Sequence, residues 1–230
     1  MEARPSPNHD ARPAGQPIEI LLLHYTGMTS PEAALERLCD PAAKVSAHYL
    51  IEEDGRICRL VAEPRRAWHA GLAEWRGRGD LNARSIGVEL VNPGHEWGYR
   101  PFPEAQTRSL IALCREILAR HPIPRRQVLG HSDVAPLRKD DPGELFDWAC
   151  LAAAGIGLWP EGAPPAEPDE ALARRQLAAF GYGYLEQDFA AVLRAFQRHF
   201  RPAAVTGTLD PETAGRLAAL AALTRTPAAD

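Results

Sequence analysis

Residues 130–143 read GHSDVAPLRKDDPG, which places an imidazole (His131), an ammonium (Lys139) and a carboxylate (Asp141) in one short stretch. Pro136, Pro142 and the two bounding glycines deny that stretch a helical or strand period, so it reads as an irregular loop. His131 and Asp141 are too far apart to share a helical turn. If the loop folds back, it can bring both groups to one metal ion, and zinc accepts both imidazole nitrogen and carboxylate oxygen. Catalytic zinc sites typically take three protein ligands and leave a position for water, so a third ligand must come from elsewhere in the chain. A turn-only reading, with His131 capping it and Asp-Pro-Gly closing it, explains much of the same spelling.

Other candidates lie within residues 18–91. Residues 18–24 (IEILLLH) form an apolar, strand-length run that ends in His24 just before Tyr25-Thr26-Gly27. A buried strand that delivers a His to a glycine-containing loop holds it on a rigid element; a satisfied core His is the alternative. Residues 85–91 (SIGVELV) are a second strand, with Glu89 set among Val88, Leu90 and Val91. Apolar neighbours on both sides suit a strand covered on both faces, so Glu89 is expected to face a cavity, where desolvation would raise its pKa toward proton-transfer use. Solvent exposure is the competing placement. His48, in the strand-like SAHYLI, is expected to pack or hydrogen-bond within the sheet. In AWHAG, Trp68 and His69 suit either a ligand groove or a core plug.

The elements that would position these groups follow from the pattern. Ser30-Pro31 opens a helix that closes near Asp40; residues 46–51 and 56–61 form a hairpin across Asp54-Gly55; an amphipathic helix covers 103–119; Val128-Leu129 feeds the loop; a further helix covers 146–154. The order strand, helix, hairpin, strand, helix, strand, helix predicts an α/β domain over 18–160, preceded by a disordered, Pro-rich lead over 1–17. Residues 161–168 (EGAPPAEP) read as a linker. Helical spacing then returns over 170–180, 188–200 and 211–223, within a small domain assigned to 169–225. Without an acid, base or metal cluster of its own, that domain reads as a binding module or a structural cap.

Composition narrows the class. The 230 residues are 45% hydrophobic with a formal charge of -4, enough for a core and without a basic stripe for nucleic acid. No stretch has the ~18 apolar residues of a membrane span. Cys39, Cys58, Cys114 and Cys150 lack paired spacing and read as core or free thiols. The amino terminus has no apolar signal region, so the expected location is the cytoplasm, with the periplasm as alternative. A monomer is expected.

Five stretches, LLLHYTG, SAHYLIEEDGRI, AWHAG, SIGVELVN and GHSDVAPLRKDDPG, together resemble the zinc-dependent type 2 N-acetylmuramoyl-L-alanine amidases, a family that includes the peptidoglycan recognition proteins. VLRAFQRHFRP with VTGTLDPETAGRL is similar to the three-helix peptidoglycan-binding domain often appended to them. The resemblance implies a mixed central sheet flanked by helices. It implies one zinc ion held by His24, His131 and Asp141, with Glu89 and Lys139 as the catalytic pair, and His69 bordering the substrate groove. The implied activity is hydrolysis of the amide between N-acetylmuramic acid, in ordinary or 1,6-anhydro form, and L-alanine in peptidoglycan or muropeptides, in bacterial cell-wall turnover or recycling. A non-catalytic recognition protein of the same fold is the alternative.

Overall fold

The computed structural model describes residues 1–225, which contacts divide into two compact units: residues 1–71 with 80–123, and residues 72–79 with those from 124 onward. The first contains β1 (Glu2–Ala3), β2 (His9–Ala11), β3 (Ile20–Tyr25), α1 (Pro31–Cys39), β4 (Tyr49–Ile51), β5 (Ile57–Arg59), β6 (Arg65–Ala67), α2 (Leu81–Arg84), β7 (Ser85–Leu90), α3 (Gly94–Trp97) and α4 (Glu104–Arg120). Its main sheet has the order β1-β5-β4-β7-β3. It is mixed: β4 and β5 form the expected antiparallel hairpin, while β4 with β7 and β7 with β3 run parallel.

β3 is a near-continuous apolar run because it is covered on both faces, and Ile20, Leu21, Leu22 and Leu23 are all fully buried. α1 begins as its spelling predicts, with Ser30 Oγ accepting from the Ala33 N–H at 3.1 Å and Pro31 in the first turn. It buries Ala34 and Leu38 against Leu50, Cys58, Leu60 and Val91. α4 turns Leu110, Leu113, Cys114 and Ile117 inward. Its Gln106 donates to the carbonyls of Ile51 (2.9 Å) and Val91 (3.0 Å), satisfying the ends of β4 and β7.

The lead over 1–17, expected to be disordered, is structured. β1 pairs parallel with β5, and β2 pairs antiparallel with β6. Its polar side chains serve backbone carbonyls: Ser6 donates to Leu38 O (2.5 Å), and Asn8 to Asp40 O and Val45 O (both 2.8 Å). Arg12 donates to the carbonyls of Glu63, Asn82, Ala83 and Ser85 at 2.8–3.0 Å. Burial pulls its guanidinium down to about 10, which leaves it charged at neutral pH.

The second unit holds β8 (Val128–Gly130), α5 (His131–Val134), α6 (Trp148–Ala153), α7 (Glu170–Phe180), α8 (Phe189–Phe200) and α9 (Pro211–Arg225). Asp169, Asp188 and Asp210 cap the last three helices, accepting from Leu172 N, Ala191 N and Thr213 N. Residues 161–168 carry neither helix nor strand, as a linker should, yet Pro164 lies against α9: a Cβ at Gly215 would stand 2.0 Å from the Pro164 carbonyl oxygen. The compact unit therefore does not begin at that segment. Trp75 is edge-on to Phe180 and Tyr182, its indole donates to Gln127 at 2.8 Å, and Trp148 stacks on His199 at 3.7 Å. All four cysteines are free, as expected. Among the described residues no helix is long and apolar enough to cross a membrane.

The arm is testable. Arg12→Met should lower unfolding stability by about 1–3 kcal/mol, since several carbonyls lose a charged donor. The readout is the urea midpoint with the m-value held; an unmoved midpoint would show that the arm is not anchored through Arg12.

Candidate metal centre

His24 leaves the end of β3 with 1% of its surface exposed. Parallel pairing sets it in register with Glu89 on β7, so the two side chains stand on the same face of neighbouring strands. Glu89 is only partly buried, between the two placements the sequence allowed. Against His24 lies His69, edge to face at 5.1 Å between ring centroids. Ser85 Oγ donates to Leu81 O at 2.6 Å and so receives from His69 Nε2 at 3.3 Å. His69 Nδ1 is then the acceptor for His24 Nε2 at 3.1 Å, which leaves Nδ1 of a neutral His24 as its lone-pair nitrogen for a metal.

His48 behaves as expected of a sheet histidine, although it sits one residue ahead of β4. Its Nδ1 accepts from the Gly87 N–H at 3.0 Å and its Nε2 lies 3.1 Å from Arg65 O. Burial, aided by the Arg12 charge, drops its pKa to about 3, so it stays neutral and takes no part in proton transfer near pH 7.

The loop expected to be wholly irregular opens with one helical turn, α5. Asp133 Oδ2 caps that turn on the Gly130 N–H at 2.8 Å, and Ser132 N donates to Asp141 O at 2.9 Å, folding the far end of the loop back. His131 (3% exposed) and Asp141 (5%) meet as a result, Nδ1 to Oδ2 at 3.1 Å. Arg138, which the sequence did not single out, brings Nη2 to 3.3 Å from His131 Nε2, so the Nδ1 side of the ring faces the carboxylate. Burial lowers the Arg138 pKa, opposed by Asp141. Lys139 is half-buried in the same loop, its backbone N–H donating to Ala135 O at 3.1 Å.

His24, His131 and Asp141 form a cluster of buried side chains that could hold a metal ion, each offering one ligand atom. Two imidazoles and one carboxylate are a donor set that zinc accepts. Residues 14–144 match the family profile described as N-acetylmuramoyl-L-alanine amidase.

The chain belongs to that amidase family. Residues 167–217 match the profile of a putative peptidoglycan binding domain. Among curated proteins, N-acetylmuramoyl-L-alanine amidase AmiD of Escherichia coli K12 is 39% identical over 222 residues, which cover 85% of this chain and 79% of that one. A solved complex of E. coli AmiD with anhydro-N-acetylmuramic acid-L-Ala-D-gamma-Glu-L-Lys superposes with a TM-score of 0.81 at 38% identity, covering 94% of this chain and 93% of that chain. The crystal structure of AmpDh3 from Pseudomonas aeruginosa gives a TM-score of 0.85 at 36% identity, covering 93% and 95%. The family resemblance carried by the five motifs and the mixed sheet flanked by helices are both borne out.

Sequence reasoning left His69 between a groove and a core plug, with the resemblance setting it at the groove border; its contact with His24 was not foreseen. The signal was Gly87, the third residue of SIGVELV: a Cβ there would lie 2.5 Å from the His69 ring. Gly87→Ala should therefore displace His69 and weaken zinc binding about tenfold, while the far-ultraviolet circular dichroism stays unchanged. A chelator competition titration checks this, and an affinity within about twofold of the parent's would deny His69 any hold on His24.

Proposed function

We propose that this chain is a zinc-dependent hydrolase of the amide joining N-acetylmuramic acid to L-alanine, with His24, His131 and Asp141 as its metal ligands, Glu89 as proton carrier and Lys139 as oxyanion partner. The observation that carries the reading is the buried cluster of two imidazoles and one carboxylate in a chain of this amidase family. The AmiD complex supports soluble 1,6-anhydro-muropeptides as substrates, because that relative is bound to an anhydro-N-acetylmuramic acid peptide beginning with L-Ala.

Zinc held there would supply Lewis acidity, lowering the pKa of water and polarising a carbonyl. Glu89, in register with His24 on the neighbouring strand, takes the proton of the attacking water. Water oxygen bonds to the lactyl carbonyl carbon and the carbonyl oxygen becomes negative. The Lys139 ammonium balances that charge. The carbon–nitrogen bond then breaks and Glu89 returns its proton to the departing amine, leaving a muramic carboxylic acid and a peptide with a free L-alanine amino end. The helical domain over 169–225 brings the chain to peptidoglycan, in keeping with the binding-domain profile it matches. The site of action in this proposal is the cytoplasm, where soluble turnover fragments would meet the enzyme. Recovery with a periplasmic marker on fractionation overturns that part alone.

The test is incubation of zinc-loaded protein with an anhydro-muropeptide and mass spectrometry of the products. Alanine at position 24, 131 or 141 should remove zinc and activity together. Glu89→Gln keeps its zinc and loses about 100-fold or more in kcat with little change in KM. Release of any fragment other than free peptide and the muramic acid, or near-parental turnover by Glu89→Gln, contradicts the assignment.

A further inference from the structure

Asp133 lies two residues beyond His131 with 1% of its surface exposed, and the mechanism above does not use it. Besides capping Gly130 with Oδ2, it receives two further hydrogen bonds, both from the helical segment: the Tyr182 hydroxyl donates to Oδ1 at 2.6 Å, and His199 Nδ1 donates to Oδ2 at 2.7 Å. His199 comes from α8 and is itself clamped, stacked on Trp148 at 3.7 Å and on Phe200 at 3.8 Å. Its Nε2 is buried with no hydrogen-bond partner among the described residues, so the polar function of the ring goes to Asp133 alone. The Tyr182 ring is wedged against Trp75 and Phe196, and burial, with the Asp133 charge, keeps its phenol protonated. At the far end of the loop, Arg198 of α8 pairs with Asp140 at 2.8 Å, next to Asp141.

A tether needs none of this. A buried carboxylate is stable only while its oxygens are fully satisfied, and removing one partner leaves a charge that must move or draw in water. Movement of Asp133 would loosen the turn that aims His131, and through the bond from Ser132 N to Asp141 O it would disturb Asp141 as well.

The geometry points to Tyr182 and His199 as positioning residues for the metal loop, acting through Asp133, so that the helical segment after the linker is part of the machinery that shapes the zinc site as well as a wall-binding module. The inference rests on reading His131 and Asp141 as zinc ligands. It reaches that site without touching substrate.

The test uses the full chain and three variants. Tyr182→Phe removes one hydroxyl and keeps the ring; His199→Leu removes the donor; His199→Asn offers an N–H in the place of Nδ1. Zinc affinity is read by chelator competition, and the visible bands of the cobalt-substituted protein report ligand geometry. Kcat and KM on a soluble anhydro-muropeptide are read alongside. Tyr182→Phe and His199→Leu should each weaken zinc binding about tenfold and shift the cobalt bands, with kcat falling and KM held, and His199→Asn should recover to within about threefold of the parent. If His199→Leu fails to fold, Tyr182→Phe and His199→Asn still decide the matter. Zinc affinity within about twofold and unshifted cobalt bands for Tyr182→Phe would overturn the proposal. Because the metal measurements need no substrate, a parent protein that binds zinc but spares muropeptide would count against the amidase reading alone.

Discussion

Everything in this chain depends on keeping polar ligands buried without letting them find substitutes for the metal. His24, His131 and Asp141 are each almost wholly removed from water. Isolated polar groups so placed are destabilising, and a buried carboxylate more so than a buried imidazole. The solution here is orientation by a third party. His24 is turned by His69, which is turned by Ser85; His131 is flanked by Arg138 on one nitrogen and faces Asp141 with the other. His24 is thereby held through Nε2, while His131 has both ring nitrogens within hydrogen-bond range of a partner, Nε2 facing Arg138 and Nδ1 facing Asp141.

The scaffold beneath these groups is correspondingly polar at chosen points. Glu63 illustrates how. Burial pushes its pKa up, yet hydrogen bonds from Arg120, Tyr49 and His121 outweigh that and hold it at about 2. The same residue's carbonyl receives Arg12, so the amino-terminal arm, the hairpin end and α4 share one network. Neutral His48 bonded to the Gly87 N–H fixes the strand on which His69 rests.

Much of this was legible in the sequence where the signal is local. β3, β7, the hairpin and α4 announce themselves by period and turn residues, and Ser30-Pro31 marks the start of α1 to the residue. The helices beginning at Glu170, Phe189 and Pro211 follow Asp caps that the chain spells out. The five motifs, taken in order, pointed to the family. What stayed hidden was long-range. Residues 1–17 look disordered because their composition is polar and Pro-rich, and nothing local tells that Ser6, Asn8 and Arg12 will meet carbonyls tens of residues away. Asp133 carries no local signal in HSDV, because its bonds to Tyr182 and His199 span 49 and 66 residues. Arg138 was overlooked for the same reason: its importance lies in what the fold puts beside it.

The central claim is that a buried cluster of two histidines and one aspartate is a zinc centre. Zinc-edge X-ray absorption of the metal-loaded protein tests it most directly, without substrate or mutation. The account predicts one zinc per chain in a shell of nitrogen and oxygen at about 2.0–2.2 Å, with the outer scattering of two imidazoles and no sulfur. A thiolate at about 2.3 Å, or a shell of oxygen alone, would contradict it.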